Sequence, residues 1–293
     1  MSAAQAAPRK RLKLDWLSLG LGAWSIAVYV FLFLPIVFII AHSFTKSDSL
    51  LVWGGRSLKG YRRLWHNQQL RHALGNSLKT AFFATLVSVI LGGLAGIALA
   101  RRPGKWTKPF LLMVFLILVT PEIVDAIGYL TWFVQLGKWT SFFEWLFRQG
   151  LRPLVIGHSV FSSAVVTLIV RARMAGFDES LEEAAADLYA PPRRAFRQIT
   201  LPLVAPALLA GGLLSFTFSL DNTIVSQFVS GPSSATFPVY VFSAVRSVLR
   251  PDIGAAASLM LGVTLLALML VALVLRRSGE SSKDIATTLT GAA

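Results

Sequence analysis

Residues 178–202 read DESLEEAAADLYAPPRRAFRQITLP, a polar island between two long apolar runs. Ser180 and Glu183 are spaced as a capping box, in which hydroxyl and carboxylate each satisfy a free backbone N–H, so the spacing predicts a short helix starting at Ser180. Pro191 and Pro192 are expected to stop it. Leu181, Ala184, Ala185 and Leu188 fall at i, i+3, i+4 and i+7 on one narrow face, while Glu179, Glu182 and Asp187 cover the other sides. A helix with so little apolar area makes a poor core and suits docking on a partner. The plainer alternative is a charged loop with a helix formed by chance.

The flanking sequence gives this island its setting. The chain has 293 residues, 55% of them hydrophobic and only 14% charged, with a mean hydropathy of +0.64. That is too apolar for a soluble globule and identifies a membrane protein. The net charge of +14 does not mark a nucleic-acid binder, because the basic residues are spread over loops beside apolar runs and form no single stripe. They read as topology signals and contacts to membrane lipid. The absence of cysteine excludes disulfides and thiolate metal sites. No G-x-x-x-x-G-K-[ST] loop occurs, so any ATP chemistry belongs to another chain.

Six spans are expected. A basic N-terminus (1–15) with Arg9, Lys10, Arg11 and Lys13 precedes the first, 16–41, which is too long for a secretory signal and long enough to cross. Pro35 is a candidate kink. Residues 42–75 read as an external segment in which 50–74, with Trp53, Tyr61 and Trp65, is expected to be an amphipathic piece on the membrane surface. The second span runs from about Asn76 to Ala100, and its Gly92 and Gly96 would let a neighbouring helix approach closely. The third covers about 109–133, the fourth 154–170, the fifth 203–229 and the sixth 253–275, with a tail at 276–293. Of the 28 basic residues, 16 fall in the proposed cytoplasmic parts and 11 outside, which puts both termini and the 178–202 loop in the cytoplasm.

Several polar residues fall at membrane depth. Glu122 and Asp125, at i and i+3 after Pro121, share a helix face in the third span. Asp221 and Asn222 close the fifth. A lipid-facing carboxylate costs about 2.5–3.5 kcal/mol on insertion scales, so Glu122, Asp125, Asp221 and Asn222 are candidates to line a solute pathway. A structural role for Glu122, satisfying backbone groups freed by Pro121 or pairing with another helix, stays equally open. His158, Ser159, Ser162, Ser163 and Thr167 make the fourth span the most polar and suit hydrogen bonds between helices. No metal-ligand spacing and no nucleophile with a base partner appears, so catalytic, cofactor and metal residues are all expected to be absent.

At Glu183-Ala184-Ala185, Tyr189 and Ile199-Thr200-Leu201-Pro202 the chain resembles the permease subunits of bacterial ATP-binding-cassette importers, whose cytoplasmic loop reads E-A-A, three residues, G, nine residues, I, any residue, L-P. Tyr189 departs by standing at the glycine, a position that usually serves a left-handed turn. The resemblance spans roughly Asn76 to Leu275, and its details are similar to the polyamine-type group: Asn76-Ser77-Leu78, Arg171-Ala172-Arg173 with Gly176-Phe177, Ser219-Leu220-Asp221, and Gly231-Pro232 followed by Phe237-Pro238. Asn222 stands where many of that group carry a second acid.

The resemblance implies an all-α, type I importer permease fold of six transmembrane helices in the bacterial inner membrane, with a five-helix core (76–275) and a cytoplasmic coupling loop (173–202). It implies that Leu181, Glu182, Glu183, Ala184, Ala185, Leu188 and Tyr189 dock on an ATPase subunit, which uses the ATP and Mg. It also implies a second permease subunit, identical or paralogous, and a periplasmic solute-binding protein. The expected solute is a polyamine or similar small cation. Another solute such as ferric ion is an alternative, and so is an ion-gradient-driven transporter, which should show broken helices at symmetric positions.

Overall fold

The computed structural model describes residues 16–246 and 249–277. The basic N-terminus and the tail beyond 277 lie outside the described residues. In chain order the helices are α1 (Trp16–His42), α2 (Lys59–His66), α3 (Gln68–Arg101), α4 (Thr107–Val119), α5 (Glu122–Leu136), α6 (Ser141–Phe147) and α7 (Leu151–Ala175). Then follow α8 (Ser180–Asp187), α9 (Pro192–Ala195), a π turn (Phe196–Thr200), α10 (Leu201–Asp221), α11 (Ile224–Val229), α12 (Phe237–Ala244) and α13 (Pro251–Arg277). Among the described residues no strand forms; there is one isolated bridge, between Thr45 and Arg56.

Five helical stretches are long and apolar enough to cross a membrane, and α4 with α5 adds a sixth only as a pair bent by 108°. The third span is therefore not the continuous rod expected over 109–133. Pro121 has no N–H to donate, and it pushes Thr120 into an extended conformation (φ −62°, ψ 132°). The fifth span departs in the same way. Its helix stops at Asp221, Asn222 is extended (ψ 107°), and α11 starts anew. Asp221, Asn222 and Thr223 offer side chains that compete with the helical backbone bonds: Thr223 Oγ1 bonds the Asp221 carbonyl, and Asn222 Oδ1 accepts from the Ser226 N–H.

The centre of the molecule is α3 packed on α7 and α10. Lipid tails are as apolar as leucine, so close fit rather than water exclusion holds such helices together. A Cβ at Gly92 would lie 2.6 Å from the Ser163 carbonyl oxygen and 2.8 Å from Val166 Cβ, and one at Gly96 would lie 2.8 Å from the Thr167 oxygen. The glycine pair thus seats α3 against α7, as its spacing predicts. Below it, toward the 178–202 loop, Val166, Val170, Met174, Val204 and Ala207 form a buried cluster. α1 packs on α13 and otherwise presents an exposed apolar surface.

α3 begins eight residues before the expected start of the second span, because Asn67 caps it by accepting from the Leu70 N–H. At 34 residues it is about 51 Å long, well beyond a hydrocarbon core of about 30 Å. The segment expected to lie on the surface at 50–74 is accordingly split, with α2 packed on α13 and 68–74 continuing straight into the span. Asn67 also donates to Asp252, which is 2% exposed and held by Arg250 Nη2 at 2.8 Å. Asn76 donates to the carbonyls of Ser233 and Ala235, and Ser77 Oγ accepts from the Phe237 N–H. Two motifs more than 150 residues apart, at Asn76-Ser77 and at 231–237, therefore form one junction.

Candidate functional site

Two sites lie at opposite ends of α7 and α10, the loop helix at one end and a polar cavity toward the other. The loop helix α8 begins at Ser180 as its sequence predicts, but the capping box does not form. Ser180 already lies inside the helix, and Asp178 Oδ1 accepts from the Ser180 N–H at 3.0 Å. The Ser180 hydroxyl first, and this N–H second, hold the Asp178 carboxyl below the usual carboxylate range.

The helix ends before the prolines. Tyr189 takes φ +56°, the one left-handed non-glycine among the described residues. Its N–H bonds the Ala186 carbonyl while the Ala190 N–H bonds the Ala185 carbonyl, which is the Schellman pattern of a glycine-terminated helix. Tyr189 therefore makes the turn that a glycine would make, at a cost of about 1–2 kcal/mol in backbone strain. Pro191 and Pro192 do not stop α8; Pro192 opens α9, where its missing N–H costs nothing.

The expected docking residues divide between two sides of α8. Leu188 and Tyr189 are 81% and 95% exposed, and Leu181, Ala184 and Glu183 are exposed as well. Ala185 is buried against the body of the protein. Glu182 also turns inward: Oε1 lies 2.9 Å from Arg101 Nη2 and accepts from Thr200 Oγ1 at 2.5 Å. The free face is thus Leu181, Ala184 and Leu188 with Glu183 and Tyr189. Ala185, whose helical spacing put it on the docking face, and Glu182 are anchors.

The second site is a cavity of about 420 Å³ where the two broken spans meet. The four pathway candidates all line it: Glu122 and Asp125 from α5, Asp221 from the end of α10, and Asn222 from the break. Asn222 Nδ2 donates to Glu122 Oε1 at 2.5 Å, and the Val225 N–H at the start of α11 donates to the same carboxylate. Glu122 thereby replaces the backbone partners that α11 lost when the span broke, so it has a structural role and also lines the cavity. The lining contains three carboxylates and no lysine or arginine, which makes the cavity electronegative. Tyr129, Phe161 and Phe218 supply aromatic walls, the two phenylalanines edge to face at 5.8 Å.

His158 lines the same cavity, and sequence reading placed it only among inter-helix hydrogen bonds. It does make those: Nδ1 meets Ser219 Oγ at 2.7 Å and Nε2 meets Ser226 Oγ at 3.0 Å. One ring thus ties α7 to α10 and α11 on both sides of the break. The aromatic walls were also missed, because nothing in a single apolar span distinguishes an inward phenylalanine from a lipid-facing one. Among the described residues no cluster of three His, Asp or Glu side chains stands close enough to hold a metal ion.

Comparison with known proteins adds to this geometry. A family model described as "Binding-protein-dependent transport system inner membrane component" matches residues 88–280. The spermidine/putrescine transport system permease protein PotC of Haemophilus influenzae is 36% identical over 258 residues, covering 88% of this chain and 97% of that protein. The putrescine transport system permease protein PotI of Escherichia coli K12 is 36% identical over 245 residues, 82% of this chain and 86% of that protein. Among solved structures, a chain of the bacterial alginate ABC transporter in complex with its alginate pentasaccharide-bound periplasmic protein superposes with a TM-score of 0.68 at 17% identity, over 91% of this chain and 96% of that one.

Proposed function

Because the chain belongs to the binding-protein-dependent transport system inner membrane components, we propose that it forms half of the solute pathway of an ATP-driven importer for a polyamine or similar small organic cation. The observation that carries the choice of solute is the convergence of Glu122, Asp125 and Asp221 on one cavity whose lining holds no lysine or arginine. The relatives, a spermidine/putrescine permease and a putrescine permease, support the same choice.

The physical case concerns charge and shape together. A carboxylate pays for removal from water unless a cation neutralises it, and in a confined, partly desolvated cavity that attraction is far stronger than in bulk. Tyr129, Phe161 and Phe218 can face ammonium groups by cation–π contact and methylenes by apolar contact. An elongated diamine offers both, with charges at its ends and an apolar stem between.

In this reading a second permease subunit completes the pathway and a periplasmic solute-binding protein delivers the cation. Partner ATPase subunits hydrolyse ATP with Mg, and the exposed face of α8 seats in a groove of one of them. The termini and loop 173–202 face the cytoplasm. Closure of the ATPases would then move α7 and α10 as rods attached to either end of the loop, a hinge-type transition. What favours this reading over a gradient-driven transporter, despite the two broken spans, is membership of the binding-protein-dependent family.

The test is uptake of radiolabelled putrescine into vesicles carrying the complex purified through this chain. Wild type is expected to bring down a P-loop ATPase and to transport, whereas Glu183→Arg loses the ATPase. The combined change Glu122→Gln, Asp125→Asn and Asp221→Asn should abolish uptake with the ATPase still bound. Unchanged uptake and solute range in that triple variant would sink the cation assignment.

A further inference from the structure

An arginine at the end of α3 meets the loop helix. Arg101 is the last residue of α3, and its side chain is 17% exposed. Nη2 lies 2.9 Å from Glu182 Oε1, Nη1 lies 3.3 Å from Glu179 Oε1, and the guanidinium carbon sits 4.3 Å over the ring of Phe177. Glu182 passes the connection on, since the same Oε1 accepts from Thr200 Oγ1. Thr200 is 3% exposed and ends the π turn through which the loop re-enters α10. Turns of this kind distort a helix locally and recur at functional positions. Here the turn leads directly into the residue that holds Glu182.

Little else fixes α8. Ala185 is its one buried residue, and the helix otherwise packs on α9 and the π turn, both parts of its own loop. A docking helix held only by its own loop would swivel under load, and force applied to it would be lost in the loop. We infer that Arg101 is a positioning residue of the coupling step: it sets the orientation of α8 and makes α3 move with the loop together with α7 and α10. The planar guanidinium suits this task, because it lies in ion-pair contact with two carboxylates while stacking on an aromatic ring; a lysine ammonium is a point charge that supplies the charge without the flat stacking face.

The inference rests on the proposed docking of α8 on an ATPase. Its test compares wild type, Arg101→Gln, Arg101→Lys, Glu182→Gln and the Arg101→Gln/Glu182→Gln double variant as complete complexes with the co-purifying ATPase and binding protein in liposomes. ATP hydrolysis and putrescine uptake are measured in the same vesicles. Arg101→Gln is expected to keep the ATPase in the complex while solute carried per ATP falls about threefold to tenfold. Arg101→Lys should recover part of that loss, and the double variant should be no worse than the more affected single one. A purely structural role would lower the amount of assembled complex and leave the ratio unchanged, which overturns the inference; so does a double variant in which the two losses multiply. Should Arg101→Gln fail to assemble, the ratio in Arg101→Lys decides: a wild-type value overturns the inference and a reduced one supports it. Absence of an ATPase from the wild-type complex is a different failure, which removes the importer reading and this inference with it.

Discussion

Asn222 donates a 2.5 Å hydrogen bond to Glu122, and through it the break in the fifth span is tied to the start of α5, just after the break in the third. A hydrogen bond to a charged group contributes about 1.5–3 kcal/mol, and without Asn222 the Glu122 carboxylate keeps only the Val225 N–H as donor. Asn222→Ala should therefore lower the thermal unfolding temperature in detergent and reduce putrescine uptake about tenfold. Unchanged uptake with normal stability would separate the two breaks functionally.

The contact between α3 and α7 predicts a contrast between glycines. Gly92→Ala forces a methyl to within 2.6 Å of the Ser163 oxygen, whereas a Cβ at Gly128 meets nothing within 4 Å. Overpacking of this kind costs about 1–3 kcal/mol, so Gly92→Ala should lower the unfolding temperature while Gly128→Ala leaves it level or raises it. Equal behaviour of the two would mean that α3 and α7 do not meet at Gly92.

At the end of α8, Tyr189→Gly should relieve about 1 kcal/mol of backbone strain, and Tyr189→Val should add to it because a β-branched residue resists a left-handed conformation. Protease resistance of the loop in the isolated permease is expected to rank glycine above tyrosine above valine. If the exposed tyrosine ring also contacts the ATPase, the glycine variant will bind that partner more weakly despite its steadier loop.

The cap on α8 has a pH dependence of definite sign. The hydrogen bonds from Ser180 hold the Asp178 carboxyl below its unfolded value. Its contribution is therefore complete above the unfolded carboxylate pKa and disappears as the pH falls through the folded one. Hydrogen-exchange protection of amides 180–185 should drop on that acid limb in wild type. In Asp178→Asn, where this hydrogen bond does not titrate, the drop should be smaller, the remainder coming from the ion pairs of Glu179 and Glu182 with Arg101.

Much of this architecture is legible in the residues, for reasons that also explain the errors. Spans announce themselves by apolar length, and the 178–202 loop by a motif that fixes both its helix and its left-handed turn, even with tyrosine at the turn. Gly92 and Gly96 reveal a contact because only glycine permits it. The four polar residues at depth mark the cavity because their insertion is costly anywhere else. The breaks at Thr120-Pro121 and Asn222-Thr223 fell inside runs apolar enough to look continuous, although proline's effect on the residue before it was the available clue. The inward turn of Glu182 depends on Arg101, eighty-one residues earlier, and no local pattern encodes that meeting.

The length of α3 has a mechanical consequence. Its tight seat on α7, midway between Gly92 and Gly96, lies about 10 Å from Arg101 and about 39 Å from Gln68 along the axis. A rigid rod pivoting there acts as an unequal lever: a displacement of about 1 Å imposed on the Arg101 end becomes about 4 Å at the far end. That far end carries Asn67 and, through it, Asp252 of α13. A small stroke on one side of the membrane would thus arrive amplified on the other.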